Sequence, residues 1–255
     1  MQILEAVPNR FKGIEIDAEA LPDDPVDFQG RLAASIKEWT NEGLKVAWLT
    51  VPIEKAALIH IATEAGFEFH HTGKDYLLLT KRLEEGALIP EYATHYIGAG
   101  GVVINPKDEL LVVSELHRRS ESPYYKLPGG ALHAGEHIAT CVEREILEET
   151  GVHAKFETLV CFRHWHGYRY DKSDIYFVCR LSPLSSDITI QADEIEECIW
   201  LPVQDYLSSD SVSTFNKHIV KAAIESPGVT HMEIEGYSTP DRHEILMPNG
   251  MAPIE

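Results

Sequence analysis

The stretch that most constrains this chain runs from Gly130 to Val152 and reads GALHAGEHIATCVEREILEETGV. Its periodicity predicts a helix from about Glu136 to Thr150, which puts Glu145, Glu148 and Glu149 at i, i+3 and i+4. On a helix these carboxylates share one face, with Cβ atoms about 5–6 Å apart. Three like charges that close repel, and the dipole disfavours each of them near a helix C-terminus. A sequence shaped by stability alone avoids this arrangement. Divalent cations remove the conflict, because hard carboxylate oxygens suit Mg2+ or Mn2+. An isolated E-x-x-E-E run is usually a solvated acidic face, but here its surroundings favour a site. Gly130 and Gly151 mark positions where the backbone needs unusual dihedrals entering and leaving the helix. Arg144 can hold a neighbouring carboxylate by a bidentate pair and fix its orientation.

The rest of the chain reads as α/β. In the first ninety residues the order is strand (Ile14–Ile16), helix (Val26–Thr40), strand (Val46–Val51), helix (Pro52–Ala65), then two paired strands (Phe67–His70, Tyr76–Thr80). That order suits a small domain whose helices cover a sheet. The stretch Glu84–Glu91, with Gly86 and Pro90, is the best boundary, giving domains 1–90, 91–226 and a tail 227–255. Past it, His95–Ile104 and Leu110–Glu115 read as strands joined by a hairpin turn at Asn105–Asp108, followed by a polar loop. Phe156–Phe162, Ile175–Leu181 and Cys198–Leu201 are further strands, Val212–Ile224 is a last helix, and the tail carries two alternating patches suited to a hairpin. The charge is -19, from 22 basic and 41 acidic residues. So acidic a body repels nucleic acid and anionic membranes, while a small anionic substrate is accommodated once cations neutralise the site. No stretch nears ~20 consecutive apolar residues and Met1–Phe11 lacks a signal pattern, so the expected location is cytoplasmic. Cys141, Cys161, Cys179 and Cys198 are far apart and form no CxxC pair, which favours buried reduced thiols over zinc or disulfides.

Gly130, Glu136, Arg144, Glu145, Ile146, Glu148, Glu149, Gly151 and Val152 fill every fixed position of the pattern G-x5-E-x7-R-E-U-x-E-E-x-G-U, where U is a bulky aliphatic residue. The segment therefore resembles the Nudix box. The resemblance implies a Nudix α/β/α sandwich with a mixed sheet, preceded by the small α/β domain. It further implies Glu145, Glu148 and Glu149 as ligands of Mg2+ (or Mn2+), with Gly130, Glu136 and Gly151 supporting the site and Arg144 bracing the helix. Metals then hold the diphosphate oxygens and activate a water that attacks phosphorus. In the family the base is often a glutamate outside the box; Glu194, in the run Ala192–Glu197, is the candidate, against a plain charged loop before a strand. Residues 66–71, 92–101, 125–130, 162–166 and 173–179 are similar to one subgroup, the plant-type ADP-ribose/NADH diphosphatases and their animal and bacterial relatives. Where that subgroup has Trp-Lys-Leu-Pro this chain has Tyr125, and the tail after about Leu207 has no match.

Arg163 to Tyr170 is a dense basic and aromatic patch in an acidic chain. An aromatic can stack on a base and an arginine can hold a phosphate, so Arg163 and His166 are candidate substrate contacts, with Gly130 beside the diphosphate. The competing reading is a loop whose aromatics pack against the small domain. His70–His71 lack a thiol or carboxylate partner at ligand spacing and read as hydrogen-bonded strand-end histidines. The function these features imply is hydrolysis of a diphosphate linkage in a nucleoside diphosphate joined to another group, such as ADP-ribose or NADH. The alternatives are a diadenosine-polyphosphate hydrolase, for which Tyr168 is a cue, and a non-catalytic nucleotide sensor, against which the undecayed box speaks. The N-terminal domain is a candidate homodimerisation element, as the family's habit suggests.

Overall fold

Apolar alternation along the strands and apolar stripes on the helices sort the chain into two units, Met1–Ala93 and Thr94–Glu255. The computed structural model describes residues 2–116 and 124–249; most of the expected polar loop after Glu115 and the end of the tail lie outside these. In the first unit, β1 (Ala6–Pro8), β2 (Gly13–Ile16), β3 (Val46–Pro52), β4 (Glu68–Thr72) and β5 (Tyr76–Arg82) form one sheet in the order β1-β2-β3-β5-β4. Helix α1 (Pro25–Asn41) starts where the Asp24 side chain accepts the Asp27 amide and Pro25 presets the first turn. It turns Phe28, Leu32 and Trp39 into a core with Leu49, Leu58 and Leu79. The second helix is shorter than its periodicity suggests. Ile53–Lys55 is a 3-10 turn and only Ala57–Glu64 is α-helix (α2); the Ile53 amide, which a helix start leaves without an internal acceptor, donates to the Asp75 carbonyl at 2.8 Å. Strand β1 is an addition, too short to leave a period in sequence.

The second unit holds β6 (His95–Val103), β7 (Glu109–Glu115), β8 (Gly129–Ala131), α3 (Ile138–Thr150), β9 (Ala154–Trp165), β10 (Ser173–Pro183), β11 (Ile195–Pro202), α4 (Val203–Ser208), α5 (Thr214–Glu225), β12 (Val229–His231) and β13 (Leu246–Pro248). Six strands form a mixed sheet, β13-β12-β9-β10-β6-β8, in which only β10 and β6 run parallel. Strands β11 and β7 form a second, two-stranded sheet. Successive side chains on a strand point to opposite faces, which here divides the core in two. Val103, Leu111, Val113, Cys179 and Leu181 meet Cys141, Val142 and Ile146 of α3. Their neighbours Val102, Leu110, Val112 and Val178 meet Tyr206 of α4 and Ile219, Val220 and Ala223 of α5. The result is an α/β/α sandwich.

The turn at Asn105–Asp108 forms, with Asp108 in the left-handed region at φ 61°, but it does not join two strands of one sheet. After the single bridge Ile104–Leu110 the strands part, and β7 pairs with β11 instead of β6. The apolar face of α3 sits against both sheets, which holds them apart. In the tail, β12 and β13 pair antiparallel, and Val229 joins the sheet beside Leu159 of β9. All four cysteines are free, three buried and Cys161 half-buried. His70 and His71 bond each other through their Nδ1 atoms at 2.8 Å, and their Nε2 atoms reach the Pro90 carbonyl and the Tyr76 hydroxyl. Among the described residues no helix is long and apolar enough to cross a membrane.

Candidate functional site

Helix α3 begins two residues later than its periodicity suggests and stops at Gly151, whose φ of 72° puts it in the left-handed region. A Cβ there would lie 2.9 Å from the Thr189 backbone, so the stop requires glycine twice over. In the last turn Glu149 points inward and is 3% exposed. One of its oxygens accepts the Gly129 amide at 2.9 Å. Burial pushes its carboxyl up to about 7; the Lys126 charge and the Gly129 amide oppose that push, and the Glu145 and Glu194 charges add to it. Among the described residues Glu149 has no ion pair.

Arg144 organises the other carboxylates. Its Nε and Nη2 grip the two oxygens of Glu136 at 2.8 and 2.9 Å, while Nη1 donates to Glu145 at 2.8 Å and Glu148 at 2.9 Å. Nη2 also reaches the Ala131 carbonyl on β8 at 3.2 Å. These bonds hold the Glu136 carboxyl down to about 2, chiefly through Arg144, and keep the guanidinium protonated. Glu136 also accepts the His133 amide, closing the turn ahead of α3. Gly130 corrects the sequence-based reason for it. It is not among the positive-φ glycines; what it supplies is space, since a Cβ would sit 2.5 Å from a Glu145 carboxylate oxygen. Glu145 and Glu148 are thus turned onto Arg144, and no group of three His, Cys, Asp or Glu side chains among the described residues is gathered for metal binding.

Two clefts adjoin this face, one of about 460 Å³ that includes Gly130, Tyr96, Tyr168 and Tyr170, the other of about 410 Å³ that includes Lys126, Gly129, Phe215 and Asn216. Arg163 and Tyr176 line both. The first part of the patch, Arg163 to Trp165, is the end of β9, which runs past Phe162 because its last residues pair with β10. That register sets Arg163 opposite Tyr176 and within an ion pair to the buried Asp174. Its guanidinium carbon lies 5.3, 5.5 and 5.7 Å from the Trp165, Tyr176 and Phe215 rings, and its buried Nε has no hydrogen-bond partner among the described residues. His166 lines neither cleft. Its Nδ1 bonds the Ser173 hydroxyl at 2.9 Å and its ring packs 4.2 Å from His164, which in turn bonds His95. Glu194 sits exposed in the turn before β11, and its carbonyl accepts the Leu116 amide. Sequence reading passed over Lys126, Asp174 and Tyr176. Only strand register brings them to the site, and no local spacing signals it.

The second unit is thus a mixed-sheet sandwich that carries an arginine-braced row of glutamates on one helix. The comparisons place the chain. The family model described as the Nudix hydrolase domain matches residues 4–83, and that of the NUDIX domain matches residues 94–223. Nudix hydrolase 8 of Arabidopsis thaliana is 38% identical over 213 residues, 82% of this chain and 58% of that protein. Nudix hydrolase 2 of the same plant is 36% identical over 84% of this chain and 77% of its own length. The human protein nucleoside diphosphate-linked moiety X motif 6 is 31% identical over 86% and 71%. A solved MutT protein from Methanosarcina mazei Go1 is 19% identical with a TM-score of 0.44, covering 53% of this chain and 96% of its own. The chain belongs to the Nudix hydrolase family.

Proposed function

We propose that this protein hydrolyses the diphosphate linkage of a nucleoside diphosphate joined to a second moiety, of the ADP-ribose or NADH kind, with Mg2+ or Mn2+. The observation that carries the reading is Glu149, a buried carboxylate with no ion pair among the described residues, on the helix face that also bears Glu145 and Glu148. The residues suit a divalent cation. Their donors are hard oxygens, and the missing Cβ of Gly130 leaves room for the Glu145 carboxylate beside β8. Glu145, Glu148 and Glu149 would hold the ion, which supplies Lewis acidity toward the diphosphate oxygens and lowers the pKa of a water. Arg144 stays on Glu136 and aims the ligand carboxylates. Glu194 is the candidate base, supported by its charge being felt at Glu149.

Arg163 and the tyrosines of the first cleft would bind substrate. Arg163 lines both clefts and offers a cation to phosphate, and Tyr96, Tyr168 and Tyr170 offer faces for a base. His166 is proposed as a contact from its place in the sequence patch alone, since it lines neither cleft. Replacing Arg163 by Ala is expected to raise KM about tenfold with kcat within threefold, by removal of binding shared by ground and transition states. An unchanged KM would remove Arg163 from the substrate site.

The test is a panel of ADP-ribose, NADH and diadenosine polyphosphates with the full chain and 5 mM Mg2+ or Mn2+, chosen to be about saturating, products separated by chromatography. AMP with a second phosphorylated fragment from ADP-ribose or NADH is the expected result. Cleavage confined to diadenosine polyphosphates would shift the substrate class. All compounds left intact would sink the enzymatic reading and favour a nucleotide sensor.

A further inference from the structure

The tail supplies α3 with a cap that its own sequence lacks. The N-cap residue, His137, makes no side-chain cap bond, and no acidic residue lies in the first turn of the helix. An uncapped N-terminus leaves donors without partners. Glu244, more than a hundred residues along the chain, fills the gap. Its two oxygens accept the Ile138 amide at 2.7 Å and the Ala139 amide at 3.0 Å. The side chain is only 7% exposed, and His231 Nε2 lies 3.1 Å from the oxygen that binds Ala139. The His137 ring bonds the Pro240 carbonyl at 2.7 Å, adding a second tie.

The segment that carries Glu244 is itself anchored. Strands β12 and β13 pair in register, the Ile245 carbonyl accepts the Met232 amide, and the Thr158 hydroxyl of β9 donates to the Val229 carbonyl at 2.9 Å. From the capped turn the connection to the glutamate row is short. Glu136, directly before the N-cap, is gripped by Arg144, and Arg144 also holds Glu145 and Glu148. A carboxylate at a helix N-terminus both bonds the exposed amides and opposes the helix dipole.

We infer that Glu244 is a positioning residue: the tail clasps the first turn of α3 and thereby holds the Glu136–Arg144 pair that aims the metal-binding carboxylates. The inference rests on the metal-site reading above. Sequence shows no trace of it, because Glu244 lies in the tail and 106 residues from the first amide that it binds.

The test reads metal binding without turnover. The full chain, Glu244→Ala and the milder Glu244→Gln are titrated with Mn2+ alone, with free Mn2+ followed by electron paramagnetic resonance. Amide exchange is measured at Ile138 and Ala139. Lys221→Ala serves as the control; it removes the exposed Lys221–Glu225 pair on α5. The expected result is a Kd for Mn2+ about tenfold weaker in Glu244→Ala, in the range seen when groups that orient ligands are lost. Glu244→Gln, which keeps one acceptor, should fall between it and wild type. Exchange at both amides should speed up in Glu244→Ala, and Lys221→Ala should bind Mn2+ like wild type. A Glu244→Ala Kd within twofold of wild type, or an equal weakening in Lys221→Ala, overturns the inference and leaves the metal reading intact. A wild-type chain that binds no Mn2+ overturns the metal reading and the clasp with it. Mn2+ binding without hydrolysis of any nucleotide would count against the proposed activity alone and leaves the clasp standing.

Discussion

Glu149→Gln is expected to lower kcat at least ~10²-fold, the scale on which single charge-handling groups act in such sites, while the thermal midpoint stays at or above that of wild type. The two halves of this result have separate causes. Glutamine keeps the shape of glutamate and an oxygen to accept the Gly129 amide, so packing around the side chain survives. It carries no charge, so it escapes the burial cost that pushes the Glu149 carboxyl up to about 7. What it loses is a charged hard oxygen for the cation. Rate assays at saturating substrate and metal, alongside a thermal melt, check both halves. A variant that turns over as fast as wild type would show that Glu149 holds no metal.

Arg144→Ala should cost both fold and function. Arg144 is 21% exposed at its side chain, and its partners Glu136 and Glu145 are 10% and 15% exposed. Removing the cation leaves three carboxylates without their counter-charge. The expected loss is about 3 kcal/mol, near the low end for breaking a buried pair, or a fall in thermal midpoint of roughly 6–12 °C for a protein of this size. The loss has a pH signature. The Glu136 carboxyl is held down to about 2, below its ordinary value of 4.5. A depressed carboxyl stabilises the fold above its unfolded pKa, and that contribution disappears as pH falls through the folded value. The gap between wild type and Arg144→Ala should therefore be constant above about pH 5 and narrow between about 4.5 and 2. Thermal melts at pH 7 and pH 3 measure it, and an equal gap at both would mean that the Glu136 pair is not its source. Arg144→Lys should recover only part, because an ammonium cannot grip two oxygens of one carboxylate and two further residues at once.

The extent to which sequence disclosed the site follows from the range of the interactions involved. The row Glu145, Glu148, Glu149 and its brace Arg144 are set by helical spacing, and Gly151 by the backbone conformation that ends a helix, so all five could be read in one window. Gly130 could be located there but not explained, because its reason is the Glu145 side chain folding back over β8. The longer strands and helices of both units followed from apolar periodicity, since each buries one face or stripe, whereas the short β1, β8 and α4 did not. One boundary moved where non-local bonds took over: pairing with β10 carries β9 on through Arg163 to Trp165.

The amino-acid sequence alone determined the glutamate row, the helix that bears it, its glycine stop and the α/β class, since each depends on residues within a few turns of one another. Tertiary structure decided the rest: the parting of β6 and β7 into separate sheets, Lys126 beside Glu149, Arg163 on Asp174 between two clefts, and Glu244 on the first turn of α3. These are contacts between residues far apart in the chain. Nothing in local spacing encodes them, because they come from the register of packed strands and from burial that no short segment achieves by itself.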